Sequence, residues 1–120
     1  MLKTYKELIV WQKAFRLCTE LYKVTKHFPS DEKFGLTSQI RRAAVSMPSN
    51  IAEGYGRGSR KDYIRFLWMT NGSISELETQ LLLAKELDYA DAERLETALE
   101  SLAETERMMS ALIGSLEEKR

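Results

Sequence analysis

The sequence predicts an all-α protein: an up-down-up-down antiparallel four-helix bundle in a single domain spanning residues 1–120. Apolar residues recur at steps of three and four in four successive segments, the spacing of one helix face. Short connections join these segments, and none of them alternates apolar and polar residues as a strand does. With 43% hydrophobic and 30% charged residues, a chain of 120 residues has the size and composition of one globular domain.

The first helix is predicted from about Tyr5 to His27. Phe28-Pro29 ends it, because the residue before a proline avoids the helical region, and Ser30 or Asp31 can cap the next helix. The apolar seam that we expect to face the core consists of Leu8, Trp11, Phe15, Cys18, Tyr22 and Thr25.

The second helix carries a proline within its apolar seam, which comprises Leu36, Ile40, Ala44, Met47 and Ile51. Pro48 removes the hydrogen bond to the Ala44 carbonyl at a cost of about 3 kcal/mol, so we predict a kink or a restart near Pro48. Local hydrogen bonds from Ser46 and Ser49 can satisfy part of the freed backbone. The glycine run 54–58 then ends the helix, because glycine readily adopts a left-handed cap.

The third helix is predicted to begin at a Ser59 cap, with Asp62 three residues later as in a capping box. Gly72 weakens a helix interior, so we expect a close helix contact there. The seam keeps steps of four and three over three heptads: Tyr63, Leu67, Thr70, Ile74, Leu77, Leu81 and Ala84. After a break near Asp88, Asp91 can cap a fourth helix with an acidic outer face and the seam Leu95, Leu99, Leu102, Met109, Ile113 and Leu116.

The net charge of zero conceals a strong polarity along the chain. Residues 1–65 contain 13 basic and six acidic residues, whereas residues 66–120 contain five and 12. Two interpretations are open. In the first, the helices simply present differently charged solvated faces that interleave in space. In the second, the polarity is a functional dipole whose basic end meets phosphates or the acidic end of a neighbouring copy.

The residues needed for several kinds of catalytic or metal site are missing from the sequence. One histidine, His27, and one cysteine, Cys18, cannot build a zinc, di-iron or disulfide site. We expect His27 to be partly exposed at a helix end and Cys18 to be a buried, inert thiol. The glycine run follows a helix and lacks a terminal Gly-Lys-Ser/Thr, so it does not predict a nucleotide cradle. Glu53 and Asp62 flank that run, and we expect them to pair with nearby arginines rather than to act as an acid and a base. The sequence therefore predicts a non-enzymatic, cytoplasmic protein without a catalytic residue, cofactor, metal or membrane span.

Basic residues cluster around the glycine run and supply the candidate nucleic-acid-binding set: Arg41, Arg42, Arg57, Arg60, Lys61 and Arg65. These side chains, with the first amides of the third helix, can contact phosphates without reading sequence. In the alternative structural interpretation, Arg41 and Arg42 pair with Glu53 or with acidic residues of the fourth helix. A competing function is an oligomeric scaffold that binds a protein partner through an apolar surface near Tyr55, Tyr63 and Trp68.

The segment from Gln39 to Arg65 closely resembles the bacterial four-helix-bundle proteins encoded in intervening sequences of 23S ribosomal RNA genes. The resemblance extends to residues 11–14, Phe28-Pro29 with Glu32 and Gly35-Leu36, and residues 71–73 with Glu76-Leu77, and it covers most of the chain through about Tyr89. It implies a bundle assembled as a ring, commonly a homopentamer, with no established enzyme activity. The bundle proteins that accompany reverse transcriptases in diversity-generating retroelements are similar in shape, which suggests nucleic-acid and protein partners. Met47 and Thr70-Asn71 depart mildly from the family pattern.

Overall fold

Four α-helices form the fold in a computed structural model that describes residues 2–118. The predicted domain, residues 1–120, exceeds that range only by Met1, Lys119 and Arg120. Single 3-10 turns at Tyr5–Glu7 and Ser30–Glu32 precede the first two helices. The helices are α1 (Ile9–Thr25), α2 (Leu36–Tyr55), α3 (Arg60–Glu86) and α4 (Ala92–Glu118), and residues 2–118 include no strand.

Each helix packs on its neighbours along the chain, and α1 also packs on α4. Within the described residues, no Cα atom of α1 lies within 8 Å of one in α3, and none of α2 lies within 8 Å of one in α4, so these helices are diagonal. The α2–α3 contacts run in opposite chain directions, because Ser46 meets Ser73 while Gly54 lies against Phe66. The all-α four-helix bundle predicted from the sequence is thus confirmed, with extents of 48 × 22 × 20 Å.

The predicted core seam of α1 is partly wrong. The residues of α1 that fill the core are Val10, Ala14, Leu17, Leu21 and Val24. Thr25 of the predicted seam is buried, and Leu8, Trp11 and Cys18 pack half-buried against the core. Phe15 and Tyr22 are exposed, Phe15 by 49%. The helix carries two adjacent apolar stripes with the same spacing. The smaller aliphatic side chains occupy the crowded centre of the bundle and leave the larger rings on the outer flank beside α2.

The α2 helix is continuous from Leu36 to Tyr55, so no restart occurs at Pro48. Ser46 Oγ donates to the Ala43 carbonyl at 2.8 Å, next to the Ala44 carbonyl that the proline deprives of its usual donor. The predicted seam residues Ile40, Ala44, Met47 and Ile51 are all fully buried. A kink near Pro48 stays a prediction.

Two glycines, one in the last turn of α2 and one in the connection to α3, are needed for two different reasons. Gly58 has a φ of +82°, the left-handed conformation that other residues rarely adopt. A Cβ on Gly54 would lie only 2.6 Å from the Cβ of Phe66, so the glycine lets α2 and α3 approach closely. Ser59 Oγ accepts from the Asp62 N–H at 3.1 Å, which confirms the predicted cap of α3.

The core faces of α3 and α4 agree with their predicted seams. The fully or nearly buried members are Leu67, Thr70, Ile74, Leu77, Leu81, Ala84, Leu95, Leu102, Met109 and Ile113, and Tyr63, Leu99 and Leu116 pack against them half-buried. The close contact expected at Gly72 is absent within the subunit, because a Cβ there would meet no atom within 4 Å among the described residues. No helix within residues 2–118 combines the length and apolarity needed to cross a membrane.

The α1–α2 and α3–α4 connections are tied together at the other end of the bundle. Glu32 accepts from the Leu36 N–H at 2.9 Å and from the Tyr89 hydroxyl at 2.6 Å. The ring of Tyr89 also packs edge-on against Phe28, with centroids 5.5 Å apart. The Leu36 N–H first, and the Tyr89 hydroxyl second, lower the pKa of the Glu32 carboxyl.

The Gly54→Ala substitution is expected to destabilise the protein by about 1–3 kcal/mol, because the new Cβ forces α2 away from Phe66. Gly114→Ala is the matched control in α4, where a Cβ meets no atom within 4 Å among the described residues. It should stabilise the helix by up to about 1 kcal/mol. Urea unfolding at one protein concentration measures both changes, and equal stability of the two variants would contradict the close α2–α3 approach.

The Glu32→Gln variant should lose a pH-dependent part of the wild-type stability. Because the folded pKa is lowered, the carboxylate stabilises the fold above its unfolded value of about 4.3, and this contribution disappears as the pH falls through the folded value. The difference in melting temperature between wild type and Glu32→Gln should therefore shrink as the pH falls below about 5. Asp31→Asn is the control for loss of a neighbouring carboxylate. A difference that grows in acid would contradict this assignment.

Candidate nucleic-acid interface

Four basic side chains gather at the end of the bundle where α2 turns into α3. We call Arg57, Arg60, Lys61 and Arg65 the turn cluster; all four are exposed. Gly58 and the Ser59 cap set the direction in which α3 leaves the turn. Arg60 and Lys61 therefore stand on the first turn of a 27-residue helix, whose N-terminal partial charge is positive.

Phe66 holds two members of the cluster in place. The guanidinium carbons of Arg57 and Arg65 lie 5.0 Å and 4.7 Å from the centroid of its ring. Phe66 is itself buried against the α2–α3 contact. The ring thus orients two cations that approach it from different segments of the chain.

Two carboxylates partly offset this charge. Glu53 lies 3.3 Å from Arg57, and Asp62 lies 3.6 Å from Arg65. The prediction that these acids pair with nearby arginines is confirmed. Both pairs are largely exposed, and such pairs typically contribute no more than about 1 kcal/mol, so a phosphate can compete for either guanidinium.

Arg60 and Lys61 are the two cations of the cluster that have no ion-pair partner among the described residues. Within residues 2–118, no carboxylate lies within 4.0 Å of either side chain's charged nitrogens. The first amides of α3 have no acceptor within their own helix, and only that of Asp62 is taken up by the Ser59 hydroxyl. Cationic side chains and outward-pointing N–H groups therefore coincide at one place.

The two remaining predicted residues lie apart from the cluster. Arg42 is 13 residues before the end of α2, or about 20 Å along the helix axis. Arg41 is held against α1, where it donates to Thr25 Oγ1 at 2.9 Å and to the Tyr22 carbonyl at 3.2 Å. Its guanidinium also lies over the Tyr22 ring at 4.6 Å. The six predicted residues thus do not form one surface.

Neither of these arginines uses the carboxylate partners weighed in the structural alternative. Arg42 lines a shallow groove of about 560 Å³ between α2 and α3, opposite Glu76. Among the described residues, no salt bridge forms between these two side chains. Adjacent residues point about 100° apart around a helix, which is why Arg41 faces α1 while Arg42 faces α3.

Part of the charge polarity is neutralised inside the subunit. The α4 helix carries seven acidic and two basic residues. Lys13 pairs with Glu104, and Glu20 pairs with Arg94 at 3.4 Å, so both ion pairs join α1 to α4. Most α4 carboxylates are exposed. Because they outnumber the nearby bases, most of them have no ion-pair partner among the described residues.

The apolar surface expected near Tyr55, Tyr63 and Trp68 is exposed only at Trp68. Tyr55 packs edge-on against Tyr63, with centroids 5.8 Å apart, and its hydroxyl donates to the Leu2 carbonyl at 3.2 Å. Burial raises the pKa of Tyr63. Trp68 is 51% exposed on the outer face of α3.

The single histidine and the single cysteine lie in separate parts of the bundle. His27 is exposed just after the end of α1, and burial raises the pKa of the Cys18 thiol beside α2. In the part of the chain that the structure describes, no three histidine, cysteine, aspartate or glutamate side chains come together as metal ligands.

Comparison with known proteins gives a family model and a similar solved structure. The model described as 23S rRNA-intervening sequence protein matches residues 6–111. A crystal structure from Bacteroides thetaiotaomicron, described as a protein of unknown function from the S23 ribosomal protein family, has the same fold with a TM-score of 0.81 and 24% identity. The similarity covers 88% of this chain and 96% of that one. No curated protein shows significant sequence similarity to the chain.

Proposed function

The chain belongs to the 23S rRNA-intervening sequence protein family, and from this premise we propose that it is a non-enzymatic, ring-forming homo-oligomer whose turn cluster binds RNA or DNA. Neither the family description nor that of the solved relative names an enzymatic activity. The observation that carries the proposal is the position of Arg60 and Lys61, exposed and without a carboxylate partner among the described residues at the start of α3.

Phosphate is the part of a nucleic acid that fits this surface. Arginine and lysine neutralise phosphates and release counterions, which gives affinity without sequence preference. Phe66 restricts the positions of the Arg57 and Arg65 guanidiniums, because both lie over its ring. Such a small cluster binds weakly on its own, and repeating it around a ring multiplies the contacts into avidity.

Charge also supports assembly of several copies. The exposed acidic face of α4 and the arginines of α2 belong to diagonal helices of one subunit, so they can meet between subunits in a ring. A homopentamer is the ring size that the resemblance implies. Trp68 favours the second candidate function, an oligomeric scaffold for a protein partner, because a half-exposed tryptophan is typical of protein interfaces.

The double variant Arg60→Glu/Lys61→Glu should bind RNA and DNA much more weakly than wild type. Fluorescence anisotropy with labelled single-stranded and hairpin probes across a salt series measures this. Wild-type affinity should fall steeply with salt, and the slope should decrease by about 0.7 for each lost single-strand phosphate contact. Lys26→Glu/Lys33→Glu, in the α1–α2 connection at the opposite end of the bundle, is the control with the same change in net charge. Equal loss of affinity in both variants would contradict a phosphate site at the turn. So would an affinity that changes neither with salt nor with the Arg60→Glu/Lys61→Glu substitution.

Sedimentation velocity of the wild-type protein should show an oligomer that becomes smaller as salt is raised. Screening weakens charge pairs between subunits, whereas apolar contacts persist, so partial rather than complete dissociation is expected. A single subunit at all salt and protein concentrations would contradict the assembly.

A further inference from the structure

The groove of about 560 Å³ between α2 and α3 is not used by the proposed phosphate site, and we call it the polar groove. Its polar lining side chains are Gln39, Arg42 and Ser46 from α2 and Ser73, Glu76 and Gln80 from α3. They comprise three amide- or charge-bearing donors and acceptors on the walls and two hydroxyls between them. The polar groove therefore offers both hydrogen-bond donors and hydrogen-bond acceptors to a ligand.

Two opposite charges face this groove from different helices. The Ser46 and Ser73 hydroxyls hydrogen-bond to each other and join α2 to α3 at this level. About one turn further along each helix, Arg42 and Glu76 line the groove from its two sides. Their charged atoms do not come within 4.0 Å of each other, and neither forms a salt bridge among the described residues. A ligand seated between them can contact both charges.

The Gln80 side chain lines the same groove and carries a buried acceptor without a donor. Gln80 is only 8% exposed, and no group among the described residues donates to its Oε1. Buried polar atoms are paired in the great majority of cases, because an unpaired one has lost water without a replacement. A half-turn of the amide exchanges its oxygen with its nitrogen, so Gln80 can turn this acceptor towards a ligand. A ligand with an N–H donor would satisfy it.

The chemistry of this lining fits a nucleobase better than a phosphate. A phosphate has acceptors only, so it leaves Gln80 Oε1 unpaired, and Glu76 repels it. A base carries donors and acceptors on one planar edge. Guanine has two neighbouring donors, N1–H and N2–H₂, which one carboxylate can accept, and two neighbouring acceptors, O6 and N7, which are the usual target of arginine. Adenine, cytosine and uracil lack the neighbouring pair of donors, so Arg42 and Glu76 together favour guanine.

The polar groove and the turn cluster lie on the same side of the bundle. Phe66, Ser73 and Gln80 are spaced seven residues apart, so they share one stripe of α3. At one end of this stripe the guanidiniums of Arg57 and Arg65 lie over the Phe66 ring. The polar groove lies further along the same helix pair, with Arg42 about 20 Å from the end of α2. A nucleic-acid strand bound at the turn cluster can therefore follow the stripe to the polar groove.

We propose that the polar groove binds a guanine base, with Glu76 accepting from N1–H and N2–H₂, Arg42 donating to O6 and N7, and the Gln80 amide as a further contact. The base comes from a single strand held at the turn cluster or from a free guanine nucleotide. For the strand, the inference rests on the proposed function and adds a base preference to phosphate binding. No aromatic ring is among the described residues that line the groove, so we expect a free nucleoside to bind weakly and a strand held at both places to bind more tightly.

Titration with nucleosides tests the groove without any phosphate. Guanosine should shift the side-chain amide NMR signals of Gln80 and should bind about tenfold more tightly than inosine, which lacks the 2-amino donor to Glu76. The Glu76→Gln variant should lose this preference, because its neutral amide has one acceptor oxygen in place of two. Glu78→Gln is the matched control, since Glu78 is exposed on α3 but lines a different groove, between α3 and α4. It should bind guanosine as wild type does.

Binding of labelled RNA strands identifies the source of the base. Fluorescence anisotropy compares an all-uridine strand with the same strand carrying a central guanosine. If the strand supplies the base, the strand with guanosine should bind more tightly, and Glu76→Gln should remove the difference. The Arg60→Glu/Lys61→Glu variant should bind both strands more weakly and yet bind free guanosine as wild type does.

The possible failures of the two proposals are distinguishable. No preference for guanosine, either as a nucleoside or within a strand, would overturn the guanine site. A preference that Glu76→Gln leaves unchanged, or that Glu78→Gln removes equally, would overturn its location in the polar groove. Guanosine binding without a preference between the strands would assign the site to a free guanine nucleotide. Strand binding that Arg60→Glu/Lys61→Glu leaves unchanged would overturn the phosphate site at the turn and leave the guanine site standing.

Discussion

The close packing of α2 on α3 is the contact on which the rest of the structure depends. It exists because Gly54 has no side chain where Phe66 lies. The guanidiniums of Arg57 and Arg65 then lie over the same Phe66 ring. Core packing and the arrangement of the surface cations are therefore consequences of one helix approach, and a change that separates these helices alters both.

Periodicity predicts most of this fold, because in α2, α3 and α4 the stripe with regular steps of three and four is the one that is buried. In α1 two stripes have equal spacing, and only the volume available in the centre of the bundle decides that Ala14 and Leu21 are buried while Phe15 is not. A preference for the smaller aliphatic stripe in a crowded bundle would have favoured the correct face.

The candidate site could be predicted only in part. Arg57, Arg60, Lys61 and Arg65 lie together because the turn is short, which the glycines and the Ser59 cap indicate. The separation of Arg41 and Arg42 from them follows from the length of α2, a distance the helical rise supplies once the helix is known to be continuous through Pro48. The role of Phe66 depends on the docking of two helices, and no local sequence pattern reports that.

The left-handed backbone at Gly58 restricts how this surface can change over evolution. A lysine or arginine at that position would add charge beside the others, but it would strain the turn that aims α3. A basic substitution at Gly58 that would strengthen binding to a polyanion is therefore disfavoured by the backbone conformation. Added positive charge should instead accumulate at the positions that flank Gly58.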